Sequence, residues 1–276
     1  MQITILTNGD LPSVVALNIL VPQLAHHDLS IFFSSSVGRD RTNMPKGLVV
    51  LKYAEQAFFT EVVFPDIDRG DQPYQTDLRT FAGLAATIGK PVEVLNDINH
   101  QNGYRRLSDR HPDLIISIRY GVILKETVIG LPKYGVLNLH SGLLPQYRGV
   151  MATFWAMLNG DKQIGTTLHT IDDAGIDSGQ IIAHTTRSVD TSRSYLWHVM
   201  ALYPDGCRLV VDSVACLSSG SALERRPQKG PYQYYTFPTE DDISNFVRQG
   251  FRLYDSNDLL HFWQRFTSPV AGSPPL

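Results

Sequence analysis

Three side chains have the types and spacing for electrostatic and acid–base chemistry: Asn138, His140 and Asp177. Asn138 and His140 end the apolar run Val136-Leu137 with one residue between them. On a strand both would point to the same face. Gly142, Pro145 and Gly149 follow, residues that a continuing strand disfavours. An amide and an imidazole presented together at a strand end read as a catalytic rim. Asp177 sits further on, in the loop Asp172–Gly179 (DDAGIDSG). Taken singly, each has a plainer reading: a core or capping histidine, a turn-forming asparagine, a turn aspartate between Gly175 and Gly179. Their joint placement, with Leu143-Leu144-Pro145 immediately after, favours chemistry. Asp172 and Asp173 read from spacing alone as turn residues. His169 reads as structural or pocket-lining, and His26, His27 and His184 as surface residues. No His/Cys spacing suggests a metal site. Arg148 is equally an ordinary surface charge or a contact to an anion or substrate.

The elements that must position these groups alternate strand and helix. Gln2–Thr7 reads as a buried strand, followed by the turn Asn8-Gly9-Asp10 and a helix from Pro12 to Leu24. Leu29–Ser35 and Val92–Leu95 are further strands. Thr76–Ile88 reads as a helix, with Asp77 near its start and Gly89 at its end. Asn102–Arg110 is another helix. Asp113–Ile118 is a near-continuous apolar strand of the kind found in parallel sheets covered on both faces. A short helix, Leu124–Ile129, leads to the strand Val136–His140. The pattern predicts an α/β fold with an open, mostly parallel, Rossmann-like sheet. Such sheets bind ligands beyond the carboxyl ends of their strands, where Asn138 and His140 lie. The first strand–helix turn has only Gly9 and no G-x-G-x-x-G fingerprint, so a dinucleotide reading is weak.

The second half changes character. Met151–Leu158 reads as a helix, and Gly165–Ile171 and Gln180–Arg187 as strands flanking the Asp177 loop. Tyr195–Leu217 is a long amphipathic helix with a break expected near Pro204-Asp205-Gly206. Residues 1–217 are taken as a catalytic domain and 218–276 as a small C-terminal appendage and tail. There Thr239 with Glu240, Asp241 and Asp242 marks a helix start. Tyr232–Phe237 (YQYYTF) reads as packing of the appendage onto the domain ahead of a ligand platform. Ser273-Pro274-Pro275 should be disordered. Val37–Gln72 is longer than a strand–helix connection needs. Lys46–Thr60 within it has helical content, and the stretch is expected to shape an acceptor site or a dimer contact.

Composition narrows the class. Of 276 residues, 43% are hydrophobic and 18% charged, ample material for a core. The formal net charge is −3 and no basic run is extended, which argues against a nucleic-acid surface. No apolar stretch is long enough for a transmembrane helix, and no cleavable leader is apparent at the N-terminus. Cys207 and Cys216 fall in one predicted helix, roughly 13 Å apart at the helical rise, too far for a disulfide. A cytoplasmic enzyme is expected.

The order N-x-H-x-x-L-L-P-x-x-R-G, then G-T-T-L-H, then G-I-D-S-G, resembles the 10-formyltetrahydrofolate-dependent formyltransferases. The likeness runs from about Ile3 to Leu217 and is sharpest from Asp113 to Ile182. It implies Asn138, His140 and Asp177 as catalytic residues. It implies a folate pocket from Tyr120, Gly121, Val122, Ile123 and Leu124, together with Asp172, Asp173, Ala174 and Gly175. Asn8, Gly9, Asp10 and Arg148 are assigned to the acceptor. Formyl transfer to an amine passes through a tetrahedral intermediate whose oxygen becomes negative, and donors aimed at that oxygen lower the barrier. Asn138 and a protonated His140 suit that role, while Asp177 favours the imidazolium and relays the amine proton. No covalent enzyme intermediate and no metal are required.

The acceptor expected is a small-molecule amine, with a nucleotide-linked amino sugar ahead of a hydroxyornithine-like amine. Methionyl-tRNA enzymes normally carry a larger basic C-terminal domain, whereas only a short stretch follows Gly220. Val150–Trp155 also departs from their pattern, so nucleic acid is not expected as a partner. The glycine-rich phosphate loop of glycinamide ribonucleotide enzymes is replaced by Thr7-Asn8-Gly9-Asp10. A hydrolase using the same three residues is the rival enzyme reading; it usually carries a preceding regulatory domain, and here the first strand begins at Gln2. A binding module without turnover is the non-enzymatic rival. A homodimer is left open.

Overall fold

The computed structural model describes residues 1–35, 44–70 and 76–268. The tail Ser273-Pro274-Pro275, expected to be disordered, lies outside the described residues. Seven strands form one sheet: β1 (Gln2–Asn8), β2 (Asp28–Ser34), β3 (Val92–Val94), β4 (Leu114–Ser117), β5 (Val136–His140), β7 (Gln163–Ile171) and β8 (Ile181–Ser188). Their order is β3-β2-β1-β4-β5-β7-β8. β3 to β5 pair in parallel, and β7 and β8 close that side as an antiparallel hairpin. The fold is the open, mostly parallel α/β sheet expected from sequence. β6 (Tyr147–Gly149) and β9 (Gln233–Tyr235) form a separate parallel pair.

Strand alternation divides the core into two layers. Ile3, Ile5, Leu114, Ile116, Leu137 and Leu139 face the larger one. There they pack on α1 (Leu11–Gln23), α4 (Phe81–Ile88), α8 (Tyr195–Ala201) and α9 (Tyr203–Ser218). Leu6, Phe32, Ile115 and Val136 face the smaller layer, which takes in residues of α5 (Gln101–Ser108) and α6 (Glu126–Ile129). Asn138 and His140 share the parity of Val136 and so belong to the smaller layer's side of the sheet.

Several boundaries move from expectation for local reasons. The helix expected from Thr76 begins at Phe81, because the Thr80 hydroxyl caps it by accepting the Gly83 N–H at 3.1 Å. Asp77, expected near that start, pairs instead with Arg265 at 3.4 Å, and the Leu78 N–H donates to the Arg265 carbonyl. That stretch therefore docks α11 (Ser256–Thr267). The helix expected from Leu124 begins at Glu126, because Asn99 holds the preceding loop extended. Its amide donates to the Ile123 carbonyl and accepts from the Lys125 N–H. The long helix expected from Tyr195 is broken at Leu202, where Pro204 opens α9. α7 (Ala152–Leu158) begins one residue late, since Met151 sits at φ +55°.

Within the long second connection, residues 46–69 form one continuous helical rod: α2 (Lys46–Lys52), a π-helical middle (Tyr53–Val63) and α3 (Phe64–Arg69). Leu48, Leu51, Phe59 and Phe64 bury into the larger layer. The C-terminal stretch does the same. α10 (Glu240–Arg248) opens with the expected Thr239 cap, completed as a capping box by Asp242. It inserts Phe246 against Phe154, ring centroids 4.5 Å apart. Phe262 and Phe266 of α11 join the same cluster, so residues 218–268 share a continuous core with the larger part. No helix among the described residues is long and apolar enough to cross a membrane.

Candidate active site

A cavity of about 440 Å³ opens over the carboxyl ends of β1, β4 and β5. Loop residues packed with the smaller layer wall it on one side, Tyr120 to Leu124, and the helical rod of the larger layer walls it on the other. Asn138, His140 and Asp177 all line it, so the structure brings the three sequence-predicted groups together.

Asp177 is the hub. Its Oδ2 accepts the Gly149 N–H at 2.8 Å and lies 3.6 Å from His140 Nδ1. Its Oδ1 lies 3.4 Å from Asn138 Nδ2 and 3.4 Å from His169 Nε2. Burial works to raise its pKa, but His140, His169 and the Gly149 N–H outweigh it and hold the carboxyl at about 2. Asp177 itself adopts φ +51°, a left-handed conformation sparsely populated by non-glycine residues and typical of constrained sites. The strain is held by Gln228, whose amide donates to the carbonyls of Asp177 and Gly179, both at 2.8 Å.

The two histidines are fixed by backbone carbonyls. His140 Nε2 donates to the Tyr147 carbonyl at 2.7 Å, so Nδ1 can donate toward Asp177 only when the ring carries its second proton. Gly142 permits that placement: a Cβ there would fall 2.7 Å from His140 Nε2. His169 Nδ1 donates to the Thr170 carbonyl at 2.7 Å, and Nε2 lies 3.0 Å from Asn138 Nδ2 and 3.4 Å from Asp177 Oδ1: the neutral ring accepts from the amide, the protonated ring donates to the carboxylate. Sequence reading gave His169 only a structural or pocket-lining role. The structure makes it the group that sets the Asn138 amide, and the signal was its register opposite Asn138.

Tyr120, Gly121, Val122, Ile123 and Leu124 line the cavity, as do Asp173, Ala174 and Gly175. The loop is tied down by the Gly121 N–H to Ser34 Oγ and by the Tyr120 hydroxyl to the Leu95 carbonyl. Asp172 does not line the cavity; its carboxylate accepts from the Thr170 hydroxyl. Of the residues assigned to an acceptor, Asn8 lines the cavity and Gly9 lines a neighbouring cleft. Asp10 and Arg148 depart from that assignment. Asp10 is 1% exposed and its oxygens are taken by Ser13 N, Asn8 Nδ2 and Arg119 Nε. The Arg148 guanidinium is taken by Gln228 and stacks 4.1 Å over the Tyr232 ring. Asp10 finds its partners within the chain, while half-buried Arg148 commits Nε and Nη2 to Gln228. The aromatic segment does more than pack: Tyr235 stacks on Tyr147 and Trp155, while Tyr234 and Phe237 also wall the cavity. Arg119 and Glu55, neither singled out from sequence, line it too.

Residues 94–195, which include Asn138, His140 and Asp177, match the family described as Formyl transferase. The chain belongs to that family. It is 31% identical over 210 residues to a methionyl-tRNA formyltransferase of Kosmotoga olearia, covering 75% of this chain and 66% of that one. It is 30% identical over 174 residues to one of Thermodesulfovibrio yellowstonii, covering 62% and 56%. The chain thus spans less than two thirds of the length of these curated relatives. In fold it resembles an N-formyltransferase of Helicobacter canadensis solved with folinic acid and dTDP-3-aminofucose. The TM-score is 0.54 at 16% identity, covering 90% of this chain and 80% of that one. The formyl transferase match spans the Tyr120–Leu124 loop, His140, His169 and Asp177, joining the geometry to the family.

Proposed function

We propose that this protein transfers a formyl group from 10-formyltetrahydrofolate to the amine of a small-molecule acceptor, a nucleotide-linked amino sugar. One observation carries the reading: a carboxylate kept ionised, Asp177, sits between an amide donor and an imidazole at the wall of a cavity. The amine nitrogen forms the new bond to the formyl carbon while the carbonyl electron pair moves onto oxygen. One Asn138 N–H is held by His169; the other makes only a long 3.4 Å contact to Asp177 Oδ1 and exchanges it for that oxygen as charge develops there, with protonated His140 adding positive charge beside it. Asp177 accepts the proton released as the amine bonds, directly or through water. The adduct then collapses: the oxygen's electron pair re-forms the carbonyl, the bond from the formyl carbon to the folate nitrogen breaks, and that nitrogen leaves with the proton Asp177 had taken.

The donor fits the apolar wall of Val122, Ile123, Leu124, Ala174 and Ile176, where Ile123 is 55% exposed and free to cover a flat ring. Asp172 supports that loop through Thr170. Residues 1–217 carry the chemistry in this reading, residues 218–276 close the cavity through Tyr234 and Phe237, and the cytoplasm is its compartment. A second acceptor, methionyl-tRNA, is favoured by the curated relatives. The test is tetrahydrofolate formation from 10-formyltetrahydrofolate with dTDP-3-aminofucose, hydroxyornithine or methionyl-tRNA, with formate measured when no amine is added. Turnover with the amino sugar supports the first reading. Turnover with tRNA or hydroxyornithine alone replaces the acceptor, and rapid formate release without amine replaces transfer by hydrolysis.

A further inference from the structure

The cavity wall opposite the proposed folate loop carries a charged cluster that the mechanism above does not use. Arg119 follows the end of β4 at φ +60°, and its Nε and Nη2 both lie 2.9 Å from Asp10 Oδ2. Its Nη2 also reaches Glu55 Oε2 at 3.3 Å. Asp10 is buried at the start of α1, whereas Glu55 lines the cavity. Glu55 is carried there by the π-helical winding of Tyr53–Val63, a departure from α-helix that often marks functional segments.

Two carboxylates share one guanidinium, so the ionised cluster is one positive charge short. Tyr195 and Tyr203 pack against it, but burial pushes both phenols up and keeps them neutral. Lys52, one turn before Glu55 on the rod, also lines the cavity but is solvent-exposed. The strain of the imbalance falls on Glu55. Burial raises its pKa, Arg119 opposes, and Asp10 adds to the rise, bringing it to about 7.

We propose that Glu55 receives the protonated amine of the acceptor and takes its proton before attack, with Arg119 and Asp10 holding the carboxylate in place. The inference rests on the formyl-transfer reading. The balance is simple: the ammonium and the Glu55 carboxylate become a neutral amine and a carboxylic acid. The freed lone pair then forms the bond to the formyl carbon, and Glu55 later returns its proton to solvent. Asp177 takes the second nitrogen proton, released during attack. The nucleophile is thus neutralised on one wall and reacts at the other.

The test compares wild type, Glu55→Gln and Glu55→Asp between pH 5.5 and 9, using whichever of dTDP-3-aminofucose, hydroxyornithine and methionyl-tRNA the wild type formylates. For Glu55→Gln the acceptor kcat/KM should fall about 10–100-fold, with the donor KM within about twofold of wild type. The wild-type loss of kcat/KM below neutral pH should persist in Glu55→Asp, and in Glu55→Gln give way to a rise that continues toward the alkaline end of the range as free amine accumulates. An acceptor kcat/KM within about twofold of wild type, or an unchanged acid limb in Glu55→Gln, overturns the proposal. If none of the three amines is formylated, the parent reading fails separately. The site is then read by calorimetric titration of n-propylammonium chloride into folinic-acid-saturated protein. Binding to wild type alone supports the proposal; equal or absent binding in both overturns it.

Discussion

Replacing Asp177 by Asn changes charge while leaving shape almost untouched. Oδ2 faces a donor, the Gly149 N–H, so the remaining amide oxygen takes that place. The new NH₂ then occupies the Oδ1 position, 3.4 Å from both His169 Nε2 and the Asn138 Nδ2 donor. The variant therefore removes the negative charge together with the long Asn138 contact, and keeps the Gly149 hydrogen bond. Two magnitudes follow. The carboxyl falls from an ordinary 3.8 to about 2 on folding, so its ionised form stabilises the fold by roughly 2–3 kcal/mol. Because the folded pKa is the lower one, this stability is present above pH 3.8 and is lost as pH falls toward 2. The variant should unfold at lower temperature at pH 7 and show a weaker loss of stability on acidification than wild type. Loss of the proton acceptor should lower kcat about 10²–10⁴-fold, with the donor KM moving far less. The assay is steady-state tetrahydrofolate formation at saturating donor and acceptor, alongside thermal melts at pH 7 and at about pH 2.5, inside the titration window. A folded Asp177→Asn protein with kcat within about fivefold of wild type would refute the assignment.

Asn138→Ala should cost about 10²–10³-fold in kcat by removing an oxyanion donor, and roughly 1–3 kcal/mol of stability by leaving buried His169 Nε2 unpaired; kinetics and denaturant titration check the two separately. Gln228→Ala removes two hydrogen bonds holding the Asp177 loop, so kcat should drop about tenfold with the fold intact; circular dichroism unchanged alongside full turnover would contradict this. Phe246→Ala opens a cavity against Phe154 and should cost about 3–5 kcal/mol, read as a lower denaturant midpoint, even though Phe246 lies in the C-terminal stretch.

The sheet and the proposed catalytic trio were legible because both follow from local pattern. Leu114–Ile116 is apolar throughout because helices and loops cover both faces of its strand. Asn138 and His140 fall on one face because side chains alternate along a strand, wherever that strand ends up. The glycines after His140 marked the end of its strand, and Gly149 in addition admits a close backbone approach: a Cβ there would sit 2.1 Å from the Tyr235 carbonyl. Helix starts were less legible where a polar side chain elsewhere decided them, as Asn99 does before Glu126.

What sequence alone determined was the alternation of strands and helices and the side of a strand on which Asn138 and His140 lie, since period and turn chemistry are properties of neighbours in the chain. Tertiary structure decided what those groups touch. His169 meets Asn138 across 31 residues, Gln228 clamps Asp177 across 51, and Arg119 finds Glu55 across 64. It also gave Asp10 and Arg148 partners within the chain. Hydrogen bonds and ion pairs depend on position in three dimensions, and no periodicity in the chain encodes a partner that only folding brings near.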